Sequence, residues 1–195
     1  MRQNYFTDFL KKPIWVIFLI SWLFYLIGLF LFSQMVWDTN TYMLGFTGAD
    51  FAEYLSNIRK VDHLRYALSP FWILGISSVI WILIRSGLLI IQVDFNSSLL
   101  FKILIFGFVF LSLHLWVKSI GLILIKGNYT PDEVKYFFPG SIVPFLDISN
   151  MNMNIINALS HINLYHPLFI LFTSWQLSAN SELRLFKSLT LVFYT

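Results

Sequence analysis

The sequence predicts an all-α fold, a polytopic transmembrane helical bundle of four to five spans with a Pro-broken or re-entrant segment near residues 136–146. Three observations predict it. Of 195 residues, 57% are hydrophobic and only 12% charged, with a mean hydropathy of +0.71, whereas a soluble domain is about 45–50% apolar and about 25% charged. Two apolar stretches, residues 66–93 and 99–125, each exceed the roughly 20 residues that cross a hydrocarbon core of about 30 Å. Each carries a cation in nearly the same place, Arg85 in Trp81-Ile-Leu-Ile-Arg85-Ser-Gly and Lys118 in Leu115-Trp-Val-Lys118-Ser-Ile-Gly. Their excess length lets both cations lie away from the bilayer centre.

Composition also excludes several classes. The 21 Phe, seven Trp and nine Tyr exceed what a small soluble core buries, but lipid solvates them, with Trp and Tyr favoured near the headgroups. The net charge of +3 is scattered, with no basic stripe, so no nucleic-acid partner is expected. The absence of cysteine removes disulfides, thiolate metal sites and thiol chemistry. A single integral membrane domain, residues 1–195, is expected, with spans at about 13–33, 66–93, 99–125 and 164–179 and a partial one at 185–195.

Taken in order, the chain opens with Arg2, Lys11 and Lys12 before an uncharged run that starts at Pro13. That run is far longer than the h-region of a signal peptide and lacks a small-residue cleavage site, so it reads as a retained first span. Pro13 suits a first helical position, where its missing amide has no intrahelical partner. Residues 34–65 form the longest polar connection. Within it Asp50 and Glu53 have capping-box spacing, and Phe51, Tyr54, Leu55 and Ile58 share one face, which predicts a short surface helix. Asp50, Glu53, Asp62 and His63 lack the tight spacing of a metal site and read as a solvated loop.

Asp94-Phe-Asn-Ser-Ser98 is a tight polar turn, so the spans on either side of it should form an antiparallel hairpin. Beyond Lys126, Gly127-Asn-Tyr-Thr-Pro131 breaks the helix. Tyr136-Phe-Phe-Pro139-Gly-Ser-Ile-Val-Pro144-Phe-Leu146 is too short, with two prolines, to cross as a straight helix. Asn150, Asn152, Asn154, Asn157 and Asn163 alternate with Met and Ile in a short amphipathic or re-entrant piece. With the N-terminus inside, Arg2, Lys11, Lys12, Arg85, Lys102, Arg184 and Lys187 fall on the cytoplasmic side. Arg59, Lys60, Arg65, Lys118, Lys126 and Lys135 fall opposite, and the Lys11-Lys12 pair abutting the first span orients it.

The segment 136–147, ending in Pro144-Phe-Leu-Asp147, together with Ser160-His-Ile-Asn-Leu-Tyr165 and Leu185-Phe-Lys-Ser188, resembles the small bacterial members of the Yip (Ypt-interacting protein) family. The resemblance covers roughly residues 68–195 and implies a polytopic bundle without a known active site. Its motif positions here are Pro139, Ser141, Asp147 and Asn163.

Among residues that carry chemistry, Arg85, His114 and Lys118 are ionisable groups inside spans, where charge is costly and therefore a candidate site. His114 and Lys118, four apart, share a helical face. The plainer reading is that each cation sits toward its helix's C-terminal end, where the macrodipole favours positive charge and the stem reaches the interface. No His-Glu-x-x-His, Gly-x-Ser-x-Gly, Walker or dinucleotide pattern occurs, so no catalytic residues, metal or cofactors are expected. Gly75, Gly87, Gly107 and Gly121 read as close-packing positions between helices. The sequence thus points to a non-enzymatic accessory or scaffold subunit of a bacterial inner membrane, N-terminus cytoplasmic, whose partners are the lipid bilayer and a protein partner or second copy. The rival reading is a transport component, either a small permease or the membrane subunit of an exporter with a separate ATPase chain.

Overall fold

A computed structural model of the chain describes residues 5–37, 48–126, 139–143, 146, 151–160 and 163–194. In order, the helices are α1 (Tyr5–Leu10), α2 (Ile14–Trp37), α3 (Gly48–Ile90), α4 (Ser97–Lys126), α5 (Met153–Ser160), α6 (Tyr165–Ala179) and α7 (Leu185–Phe193). Among the described residues the only β pairing is an isolated bridge between Ser141 and Asn163. Three segments are long and apolar enough to cross a membrane: Ile14–Gln34, Ser56–Ile90 and Ser97–Leu124. Among the described residues, three full-length candidates therefore stand beside the four to five spans expected. At 15 and 9 residues, α6 and α7 rise only about 22 and 14 Å.

The largest departure from the sequence reading is α3. The expected surface helix and the expected second span are one continuous 43-residue helix. Polarity between Arg59 and Arg65 changes the solvent the helix prefers, not its backbone, and no Gly or Pro interrupts the chain there. Pro70 lies inside α3 and withholds the amide that would bond the Tyr66 carbonyl. Ser69 replaces it, its Oγ donating to that carbonyl at 2.7 Å, so the helix passes the proline without an orphaned acceptor.

The hairpin between α3 and α4 has a defined closure. Val93 N–H donates to the Leu88 carbonyl and Gln92 N–H to the Leu89 carbonyl, with Gln92 left-handed at φ 56°, the bonding of a Schellman cap. Asn96 then caps α4, its Oδ1 accepting from the amides of Ser98 and Leu99 at 3.0 and 3.1 Å. Trp81 Nε1 donates to the Ser97 carbonyl, and Arg85 Nη1 to the Phe95 carbonyl at 2.9 Å. Two side chains of α3 thus hold the turn.

By packing, the chain divides into two compact units, the first made of Met1–Phe24, Pro70–Leu111 and His166–Thr195, the second of Tyr25–Ser69 and Ser112–Tyr165. The first unit holds the densest core, in which Ile84, Leu88, Leu100, Ile103 and Leu177 are fully buried. Phe106, Phe110 and Phe172 form a ring cluster with centroids 4.9–6.5 Å apart. Gly107 admits the Phe169 ring, which would lie 2.8 Å from an added Cβ, and Gly87 admits Leu191. Gly75 differs from the close-packing expectation, since a Cβ there would meet nothing within 4 Å. Lys102 Nζ donates to the carbonyls of Leu10 and Lys12, satisfying acceptors that α1 leaves at its C-terminal end.

Gln92 occupies a left-handed position without glycine's freedom, a conformation that costs an L-residue roughly 1–2 kcal/mol. Gln92→Gly is expected to stabilise the protein by about 1 kcal/mol, read as a higher midpoint of thermal unfolding in detergent.

Candidate functional site

The three ionisable residues singled out within spans do different work. Arg85, half-buried in the first unit, is bonded to the Phe95 carbonyl of the hairpin turn. His114 and Lys118 belong to the second unit. Lys118 Nζ lies 5.0 Å from the centroid of the Phe32 ring on α2, within the range of a cation–π contact, which is stronger where water is excluded. His114, one helical turn earlier on α4, places its ring 6.2 Å from that of Tyr165.

Tyr165 anchors the part of the chain where helix gives way to irregular backbone. Pro139 and Gly140 form a turn, Ser141 pairs with Asn163, and no α-helix occurs among residues 139–143 and 146. Leu164 N–H donates to the Gly140 carbonyl at 2.9 Å. Asn163 joins two helices: its Nδ2 donates to the Ser160 carbonyl at the end of α5, and its Oδ1 accepts from the Tyr165 amide that opens α6. Ser141 and Val143 are buried. Three of the four motif positions, Pro139, Ser141 and Asn163, thus meet in one small structural clasp; Asp147 lies outside the described residues. The Asn-rich segment supplies α5, whose Asn152 Oδ1 accepts from the Asn154 amide and caps it.

The structure also assembles a group that the sequence reading missed. Asp62, assigned there to a solvated loop, is 3% exposed, and Oδ1 accepts from Arg65 Nη1 at 3.2 Å. A cavity of about 290 Å³ opens beside them, lined by Phe32, Ser33, Asn57, Ile58 and Val61 as well as Asp62 and Arg65. A second cavity of about 350 Å³ lies against Leu26, Ile27, Phe30 and Tyr66. The signal was present in the sequence. The apolar stripe of Phe51, Leu55 and Ile58 continues at helical spacing to position 62, so a carboxylate there has to turn inward with it. Among the described residues no three His, Asp or Glu side chains converge as a metal site would require, and the Asp50 side chain lies outside them.

Gly140 has φ +77°, and a Cβ there would meet the Tyr165 ring at 3.0–3.1 Å. Gly140→Ala is expected to cost about 2 kcal/mol through the left-handed backbone and the ring contact. Hydrogen exchange at the Leu164 amide should accelerate with it. Gly75→Ala, on an open helical surface, should be neutral or slightly stabilising, and equal losses for the two variants would contradict the assignment.

Comparison of the chain with protein-family models, with curated proteins and with solved structures finds no match.

Proposed function

We propose that the chain is an inner-membrane accessory or scaffold subunit of a bacterium, Yip-like and N-terminus cytoplasmic, that acts by holding a helix of another protein or of a second copy. The observation that carries this reading is one face of α3. Trp72, Gly75, Val79, Ile82, Ser86 and Leu89 recur at spacings of three and four residues, the seam pattern of packed helices, and all are exposed. Lipid asks only for apolar bulk, whereas Gly75 leaves a notch between Trp72 and Val79 that none of the described residues fills. Small residues in such a seam let a second backbone approach closely.

Gly75→Leu tests this, because a Cβ added at position 75 meets no atom of the described residues within 4 Å. The variant should insert and unfold at the native temperature in detergent, yet lose at least tenfold of the partner, or of the second copy, recovered on purification in mild detergent. Native recovery of the same stoichiometric complex would contradict the scaffold reading. The transport alternative draws on the irregular 139–146 segment and on the buried Asp62 carboxylate, since interrupted helices and buried charges often line substrate paths. A stoichiometric ATPase among the co-purified chains would favour the exporter form of that alternative.

A further inference from the structure

The charged side chains of the first unit gather at the end that holds the hairpin turn. Its described Lys, Arg, Asp and Glu residues fall within residues 8–12, at positions 85, 94 and 102 around the turn, and within residues 182–187. The structure joins these stretches. Lys102 Nζ donates to the carbonyls of Leu10 and Lys12, and Arg85 Nη1 to that of Phe95. Leu191 of α7 packs against Gly87, close to the same turn. Lys11, Lys12, Arg85, Lys102, Arg184 and Lys187 thus stand against Asp8, Asp94 and Glu182, which leaves this end cationic. Asp8 is taken up by Lys11 at 2.6 Å, and Asp94 and Glu182 are exposed.

The cations sit on apolar surface. Arg85 precedes the last residue of α3 by five residues and Lys102 follows the first residue of α4 by five, a rise of roughly 8 Å in each case. Beyond them Leu89, Ile90 and Ile91 at the turn are exposed, as are Ile14 and Trp15 at the start of α2. Trp81, bonded to the Ser97 carbonyl, lies one helical turn from Arg85, and Trp is favoured at headgroup level. A free phosphate would satisfy the cations and leave the apolar surface bare. A ligand that suits both has an anionic head and apolar chains.

We propose that this end of the first unit binds an anionic phospholipid, of which phosphatidylglycerol is the simple case. The cluster around Lys102 and Arg85 holds the headgroup, and an acyl chain covers Leu89 and Ile90. An ammonium has three N–H donors and a guanidinium five; the bonds to backbone carbonyls use two of the first and one of the second. Both cations can therefore tie the chain and serve a phosphate at once, as basic pockets between membrane helices do for anionic headgroups. A choline or ethanolamine headgroup carries an ammonium beside its phosphate, which the excess of cations opposes. The proposal rests on insertion in a bilayer and is independent of the scaffold reading.

The test is native mass spectrometry of the purified full chain, delipidated and offered an equimolar mixture of dioleoyl phosphatidylglycerol, phosphatidylethanolamine and phosphatidylcholine in micelles. The native protein should retain the glycerol lipid at least fivefold above each of the other two, and excess inorganic phosphate should not displace it. Lys102→Gln should bring that ratio to about one. Because Lys102 also ties the end of α1 and its variant can fail to fold, Lys12→Gln with Lys187→Gln supplies a second arm; both side chains are exposed, and the ratio should fall at least twofold. Lys60→Gln, exposed on the second unit, should leave it unchanged. Equal retention of the three lipids by the native chain, displacement by phosphate, an unchanged preference in the folded Lys102 variant or in the double variant, or an equal fall in Lys60→Gln would each overturn the proposal.

Discussion

Every part of the chain answers to one constraint: a backbone carbonyl or amide at membrane depth has no water to fall back on and must find its partner within the protein. The polar side chains are spent on this. Ser69 takes the carbonyl that Pro70 strands, Arg85 takes one in the hairpin turn, and Lys102 takes two at the end of α1. Asn96 and Asn163 supply the amide or carbonyl partners that helix ends lack. Arg85, a candidate for a charged site in the sequence, instead ties the hairpin turn, as Lys102 ties the end of α1.

The same constraint explains why the irregular segment takes the form it does. Residues 140–143 and 163–164 are not α-helical, and the bridge of Ser141 with Asn163 and the bond from the Leu164 amide to the Gly140 carbonyl pair backbone groups there. Gly140 has to be left-handed and close to the Tyr165 ring at once. That combination suits a residue without a side chain. Asp62 differs from Arg85 and Lys102, because it tucks into a cavity beside Arg65 instead of bonding a backbone carbonyl of a turn or helix end.

Much of this was legible in the sequence, for identifiable reasons. The all-α class, the hairpin at Asp94-Phe-Asn-Ser-Ser98 and the break near Pro139 all follow from local signals: long apolar runs, a polar turn with a capping Asn, and two prolines within a short segment. The length of α3 did not follow, because charge was read as a boundary although charged side chains do not interrupt a helical backbone. Asp62 went unread for a related reason. Its carboxylate argues for solvent, while its register on the Ile58 stripe argues for the interior, and the helix register won. Contacts between distant segments, such as Lys118 over Phe32 or His114 beside Tyr165, depend on how helices pack and carry no signal in local spacing. Among the described residues α6, expected as a span, has 15 residues, fewer than a full crossing needs.

The central claim is that the run of α3 between Arg65 and Arg85 lies in the hydrocarbon, bracketed by those two cations. Because the chain has no cysteine, single cysteines at positions 60, 63, 72, 79 and 82 report it directly through maleimide labelling in native membranes. Lys60, His63, Trp72, Val79 and Ile82 are all exposed, so exposure alone predicts uniform labelling. Burial in lipid predicts labelling at 60 and 63 and at least tenfold less at 72, 79 and 82. Comparable labelling at 79 and at 60 would contradict the account.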